Sequence, residues 1–137
     1  MKYKILLVED DKFLSSMYAH KLSKEDIFEV KLATTGAAGL SLALEWQPDL
    51  ILLDIFLPEV DGLTILKKIR EEKTIQQPAI IMLTNLDEKE QIDTALQYNV
   101  DDYLIKAHFL PNEVINKVKA ALKKKFASPR ISSHSAL

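Results

Sequence analysis

Two apolar runs in this chain end in acids. Leu50-Ile51-Leu52-Leu53 is closed by Asp54, and Ile5-Leu6-Leu7-Val8 is closed by Glu9 and Asp10. If the two runs are neighbouring strands of one parallel sheet, three carboxylates meet at a single edge. Like charges at that spacing repel in a partly desolvated crevice, so such a cluster is costly unless a cation neutralises it. Two more strand ends contribute. Ile80-Ile81-Met82-Leu83 stops at Thr84, a hydroxyl, and Tyr103-Leu104-Ile105 stops at Lys106, an ammonium.

Acids, a hydroxyl and a lysine at one edge suit phosphoryl transfer to a carboxylate. A hard divalent ion, Mg²⁺, takes oxygen ligands such as Asp10, Asp54 and Glu9, with waters completing an octahedron. It offsets the repulsion among the acids and the charge of an incoming phosphate. Asp54 is then the nucleophile, while Thr84 and Lys106 bind the equatorial oxygens. The product is an acyl phosphate held on the protein.

The elements that must position these groups alternate along the chain. Strand-like runs at 5–8, 28–33, 50–53, 79–83 and 103–105 are separated by segments of helical period. Lys12 to Leu22 carries Phe13, Leu14, Met17, Tyr18 and Leu22 on one face, and Thr64 to Glu71 carries Ile65, Leu66 and Ile69. In the last helix Val114, Ile115, Val118, Ala121 and Leu122 form a stripe, with lysines mainly elsewhere. Pro48 follows a helix ending near Trp46, Asp87 with Glu90 resembles a capping box, and Pro111 suits a first helical turn. Runs without polar alternation are covered on both faces, which predicts a doubly wound five-stranded parallel sheet with helices on each side. Such sheets bind ligands beyond the carboxyl ends of their strands, where the strand order switches.

Bulk properties narrow the classes of function. The 137 residues fit one domain, and 47% hydrophobic with 28% charged residues is a globular composition. A formal charge of −2 offers no general attraction to nucleic acid or anionic membrane. The absence of cysteine excludes disulfides and thiolate chemistry. No apolar stretch reaches the length of a membrane span, so a cytoplasmic protein is expected.

The strings ILLVEDD (5–11), LLDIFLPEVDG (52–62), IIMLTN (80–85) and DDYLIK (101–106) resemble, in order and spacing, the receiver domain of two-component response regulators, the CheY-like family. The resemblance covers roughly residues 1 to 125. It implies the (βα)5 flavodoxin-like fold and a phosphorylation-dependent switch of a phosphorelay, which catalyses only its own phosphotransfer and dephosphorylation. Asp54 is then the phosphoacceptor, charged by a histidine kinase or histidine phosphotransfer protein. Glu9 and Asp10 are the acidic pair that holds Mg²⁺, and Phe56 supplies a backbone carbonyl to the metal. Thr84 and Lys106 match the switch hydroxyl and the phosphate-pairing lysine, and Tyr103 matches the aromatic switch that swings inward. The resemblance also implies a signalling surface on the fourth helix, fifth strand and fifth helix, for a downstream protein target or a phosphorylation-dependent homodimer.

Some positions depart from the family's usual pattern. Ala107 follows Lys106 where a cis-proline is common, and a cis bond to a non-proline residue costs about 3 kcal/mol, so the geometry of that bond is open. The loop from Ala107 to Leu110 is one residue longer than in the common DNA-binding subclass. Asn99 stands where a helix-ending glycine is frequent, and Asn tolerates the left-handed conformation best after Gly. Asn85 follows Thr84 where a smaller residue is usual, and it narrows access to the acyl phosphate.

Other residues have plainer readings. Asp11 is expected to cap the first helix, and Asp61-Gly62 to make a turn or cap ahead of the third. His20, His108 and His134 lack metal-site spacing. Lys117 with Asp101 and Asp102 offers either cross-subunit ion pairs or solvated charges.

Two other classes share parts of this pattern. A haloacid-dehalogenase-type phosphohydrolase has a second acid two residues after its nucleophile, where this chain has Phe56. A flavodoxin-like mononucleotide binder needs a phosphate loop where this chain has Glu9-Asp10-Asp11. The receiver is expected to occupy residues 1–126. Residues 127–137 are polar and aperiodic, which reads as a disordered tail or an expression remnant. Such a tail is too short for a DNA-binding module, so a stand-alone receiver without direct nucleic-acid contact is expected.

Overall fold

A computed structural model describes residues 2–85, 88–106 and 110–134, with side chains as far as 127. Asp87, Ala107, His108 and Phe109 lie outside the described residues, and with them the expected capping box, the Lys106-Ala107 bond and most of the longer loop. Strands and helices alternate: β1 Tyr3–Val8, α1 Lys12–Ser23, β2 Phe28–Ala33, α2 Gly36–Trp46, β3 Leu50–Asp54, α3 Gly62–Glu71, β4 Ala79–Thr84, α4 Lys89–Leu96, β5 Asp102–Ile105 and α5 Pro111–His134. The five strands form one parallel sheet in the order β2-β1-β3-β4-β5. The order reverses between β1 and β3, which opens a crevice at their carboxyl ends.

The apolar runs are continuous because successive side chains enter different cores. Ile5, Leu7, Leu50, Leu52, Ile81 and Leu83 pack on one face with Tyr18 and Leu22 of α1 and the Val114, Ile115, Val118 and Leu122 stripe of α5. Their neighbours Leu6, Val8, Ile51, Leu53, Ile80 and Met82 pack on the other face with α2, α3 and α4, through Ala43, Ile65, Leu66, Ile69, Ile92 and Ala95. A strand with period-2 side chains buried on both sides shows no polar alternation. The two edge strands differ, with Glu29 and Lys31 of β2 and Tyr103 of β5 exposed.

Helix boundaries follow local chemistry. Asp11, Thr35 and Asp61 each occupy an N-cap and accept from the backbone N–H three residues on, at 2.9, 3.2 and 2.9 Å. Asn99 has φ 59°, as its type allows. Arg70 ties the turn after α4 to the rest of the domain. Its guanidinium donates to the carbonyls of Tyr98 (2.9 Å), Asn99 (2.8 Å) and Pro78 (3.0 Å) and to Gln77 Oε1 (2.8 Å).

Three expectations need amendment. Phe13 belongs to the helical stripe of α1 by spacing, yet it is 74% exposed, because it sits one position off the arc that Leu14, Met17, Tyr18 and Leu22 present to the sheet. Lys117 pairs within its own chain, with Nζ 2.7 Å from Asp102 Oδ2, while Asp101 accepts from the Ile80 N–H at 2.7 Å and faces Arg70 at 3.7 Å. The α5 backbone remains helical past 126 to His134, through a segment expected to lack periodicity.

Candidate functional site

Val8 lies opposite Leu53 in the β1–β3 register, so Glu9 and Asp10 leave their strand beside Asp54. Ligand oxygens of Glu9, Asp10 and Asp54 lie within 4.8 Å of one another. Glu9 and Asp54 are buried and Asp10 is exposed at the mouth. Lys106, one residue beyond β5, reaches back across the sheet end. Its Nζ lies 2.7 Å from Glu9 Oε1 and 3.1 Å from Asp54 Oδ2. These residues line a crevice of about 530 Å³ together with Asp11, Leu14, Phe56 and Asn85.

The flanking turns hold this arrangement. The Asp11 N–H donates to Glu9 Oε2 at 3.1 Å while its own carboxylate caps α1, so Asp11 is committed to the backbone. After β3, the Ile55 N–H donates to Leu83 O at 3.2 Å and the Gly62 N–H returns to Ile55 O at 2.7 Å, closing the loop that carries Phe56.

Burial is the main influence on Asp54, followed by the Glu9 charge; together they raise its pKa to about 7 against the opposing pull of Lys106. Burial disfavours the Lys106 ammonium, but Glu9 and Asp54 outweigh it and hold its pKa above the usual lysine value. Glu9 Oε1 has the Lys106 ammonium as its partner, at 2.7 Å. Three carboxylates within 4.8 Å that share one ammonium, one of them an acid that resists ionisation, are a donor set that fits a hard divalent cation.

A pH dependence follows. Between about pH 4 and 7 the metal-free folded chain keeps Asp54 protonated whereas the unfolded chain has ionised it. The unfolded state then binds fewer protons, so this group's contribution to stability falls as pH rises through that window. Thermal melts in EDTA should show the fall, Asp54→Asn should remove it, and Mg²⁺ should stabilise increasingly toward pH 7 and above. A wild-type curve parallel to that of the variant in EDTA would contradict the assignment.

The response regulator receiver domain model matches residues 5–119. The chain belongs to this family. The receiver is 40% identical over 122 residues to the probable C4-dicarboxylate response regulator DctR of Halalkalibacterium halodurans, covering 87% of this chain and 49% of that protein. It is 33% identical over 132 residues to the DNA-binding dual master transcriptional regulator RpaA of Synechocystis sp., covering 96% and 54%. Among solved structures, a CheY-like response regulator receiver domain protein from Methanospirillum hungatei JF-1 has a TM-score of 0.85 at 26% identity, covering 93% and 99%. The receiver spans about half the length of the curated relatives it matches. Neither the phosphohydrolase nor the nucleotide-binder alternative finds support.

The structure brings Glu9, Asp10, Asp54, Phe56 and Lys106 into one crevice. Thr84 and Tyr103 lie elsewhere, lining an adjoining cavity of about 300 Å³ with Glu88, Lys89, Ile92, Leu96 and Ile105. Tyr103 is 40% exposed there. The Thr84 hydroxyl donates to Glu88 Oε1 at 2.6 Å, and Asn85 lines both spaces. Glu88 was not singled out from the sequence. As an acid just before a helix it looks like an ordinary cap, and only its burial marks it. No helix among the described residues is long and apolar enough to cross a membrane.

Proposed function

We propose that this receiver is charged at Asp54 by a phosphohistidine donor, on a histidine kinase or histidine phosphotransfer protein, and passes the signal to a protein target. The observation that carries this reading is Lys106 bridging Glu9 and Asp54 beside Asp10, at the carboxyl ends of β1, β3 and β5. The ionised Asp54 oxygen attacks phosphorus, forming the P–O bond as the P–N bond to the donor imidazole breaks. Lys106 moves from the Asp54 carboxylate to a phosphoryl oxygen without losing its proton. Thr84 donates its hydroxyl hydrogen to another phosphoryl oxygen, and Tyr103 turns into the space that Thr84 leaves.

Mg²⁺, held by Glu9, Asp10, Asp54 and the Phe56 carbonyl, would supply charge neutralisation for the crowded acids and the incoming phosphoryl group. Hydrolysis of the acyl phosphate resets the protein, so its chemistry is confined to its own phosphorylation and dephosphorylation. The output surface is α4, β5 and α5, for a protein target or a second copy rather than for nucleic acid. Residues 1–126 make up the unit that acts, in the cytoplasm, and 127–137 are an extension of it.

Intact-mass measurement after incubation with acetyl phosphate tests the reading. One phosphoryl increment is expected with Mg²⁺ and none with EDTA. An unchanged mass across buffers and donors would sink it.

A further inference from the structure

We infer that Glu88 is a positioning residue that holds the Thr84 hydroxyl out of the phosphorylation crevice, so that phosphorylation must compete with its carboxylate for a single proton donor. This rests on the Asp54 phosphoacceptor reading above.

A threonine hydroxyl has one hydrogen to give. Two acceptors are within its reach, the Asn85 carbonyl at 3.1 Å and Glu88 Oε1 at 2.6 Å, and the second has the short distance of a charge-assisted bond and is the stronger. The same oxygen accepts the Asn85 N–H at 2.8 Å, and Glu88 Oε2 accepts Asn85 Nδ2 at 3.2 Å. Thr84 and Glu88 are 1% and 5% exposed, so water competes weakly for either. Glu88 stands at the N-cap of α4 yet makes no side-chain cap bond, because its carboxylate turns back onto the end of β4. A buried acid that leaves the helix it precedes and gathers donors from Thr84 and Asn85 has an evident structural purpose.

The two cavities give that purpose a direction. Thr84 lines the space it shares with Glu88 and Tyr103, and Asn85, the next residue, also lines the crevice of Asp54. A phosphoryl oxygen on Asp54 needs the hydrogen that Glu88 now holds, so the two acceptors exclude one another. Glu88 therefore weights the equilibrium toward the resting arrangement, and releasing Thr84 empties part of the cavity beside Tyr103.

Beryllofluoride binding in excess Mg²⁺, measured by calorimetry, separates the alternatives. Glu88→Gln keeps the shape and removes the charge, and it should bind roughly ten-fold more tightly than wild type. In a Thr84→Val background the same substitution should change affinity by less than about two-fold, since the hydroxyl through which Glu88 acts is gone. Without ligand, the Thr84 methyl resonance of Glu88→Gln should shift toward its beryllofluoride-bound position. Glu88→Ala is expected to act in the same direction and serves if the glutamine variant folds poorly. Unchanged affinity in both folded Glu88 variants, or a gain that persists without the Thr84 hydroxyl, overturns the proposal while leaving Asp54 as phosphoacceptor. Failure of the wild type to bind beryllofluoride at all overturns both.

Discussion

Asp54→Asn is expected to take up phosphoryl groups from acetyl phosphate at least about a thousand-fold more slowly than the wild type, while its fold persists. The amide matches the carboxylate in size, but it carries no negative charge and its oxygen is a poor nucleophile. Lys106 keeps Glu9 as a partner at 2.7 Å, so the crevice retains one of its two ion pairs. The same substitution removes a charge that burial first and the Glu9 carboxylate second disfavour, raising the Asp54 pKa to about 7, and the variant is therefore expected to melt higher than wild type in EDTA above that pH. Activity and stability move in opposite directions. A variant that still acquires the mass increment would place the modified residue elsewhere, and one that melts lower would mean that the resting site is not under charge repulsion.

A large effect on stability is expected from Gly62→Ala. A Cβ at this position would lie 2.0 Å from the Asp54 carbonyl oxygen and 2.9 Å from the Ile55 Cα. Both obstacles are backbone, which cannot rotate aside, and the Gly62 N–H is also fixed to Ile55 O at 2.7 Å. Destabilisation of roughly 3 kcal/mol or more is expected, read from urea unfolding midpoints, with loss of phosphorylation because the displaced backbone carries Asp54, the proposed nucleophile. Gly39→Ala is the comparison: its Cβ would meet the side chain of Val8 at 2.7 Å, a neighbour that can give way at smaller cost. Equal midpoints for wild type and Gly62→Ala would mean that the turn after β3 has another conformation in solution.

The architecture was legible because both faces of the sheet are covered. Leu50 to Leu53 and Ile80 to Leu83 admit no polar residue, and that constraint shows directly in the letters. The acidic edge was legible for a related reason, since a carboxylate that ends an apolar run has few places to point. What remained hidden depends on angles rather than on composition. Phe13 fits the helical period but misses the buried arc. The positions of Asp102 and Lys117 gave no sign that they would meet each other rather than another copy or water. Glu88 is four residues from Thr84, with Asn85, Leu86 and Asp87 between, and nothing in that spacing shows the carboxylate turning back onto the strand. For Thr84, strand position identified the residue but not the side to which its hydroxyl turns.

The network around Arg70 bears on how α4 can move. The guanidinium moors the backbone at Tyr98 and Asn99, just past the helix's far end, by two hydrogen bonds of 2.9 and 2.8 Å, and it is itself anchored through Gln77 and Pro78. The near end is tethered through Glu88 to Thr84 and Asn85, the groups that would part company under the proposed phosphorylation of Asp54. A rod pinned firmly at one end and loosely at the other swings rather than slides. Whatever partner reads this face would accordingly feel a change of tilt, greatest beside Glu88 and fading toward Asn99.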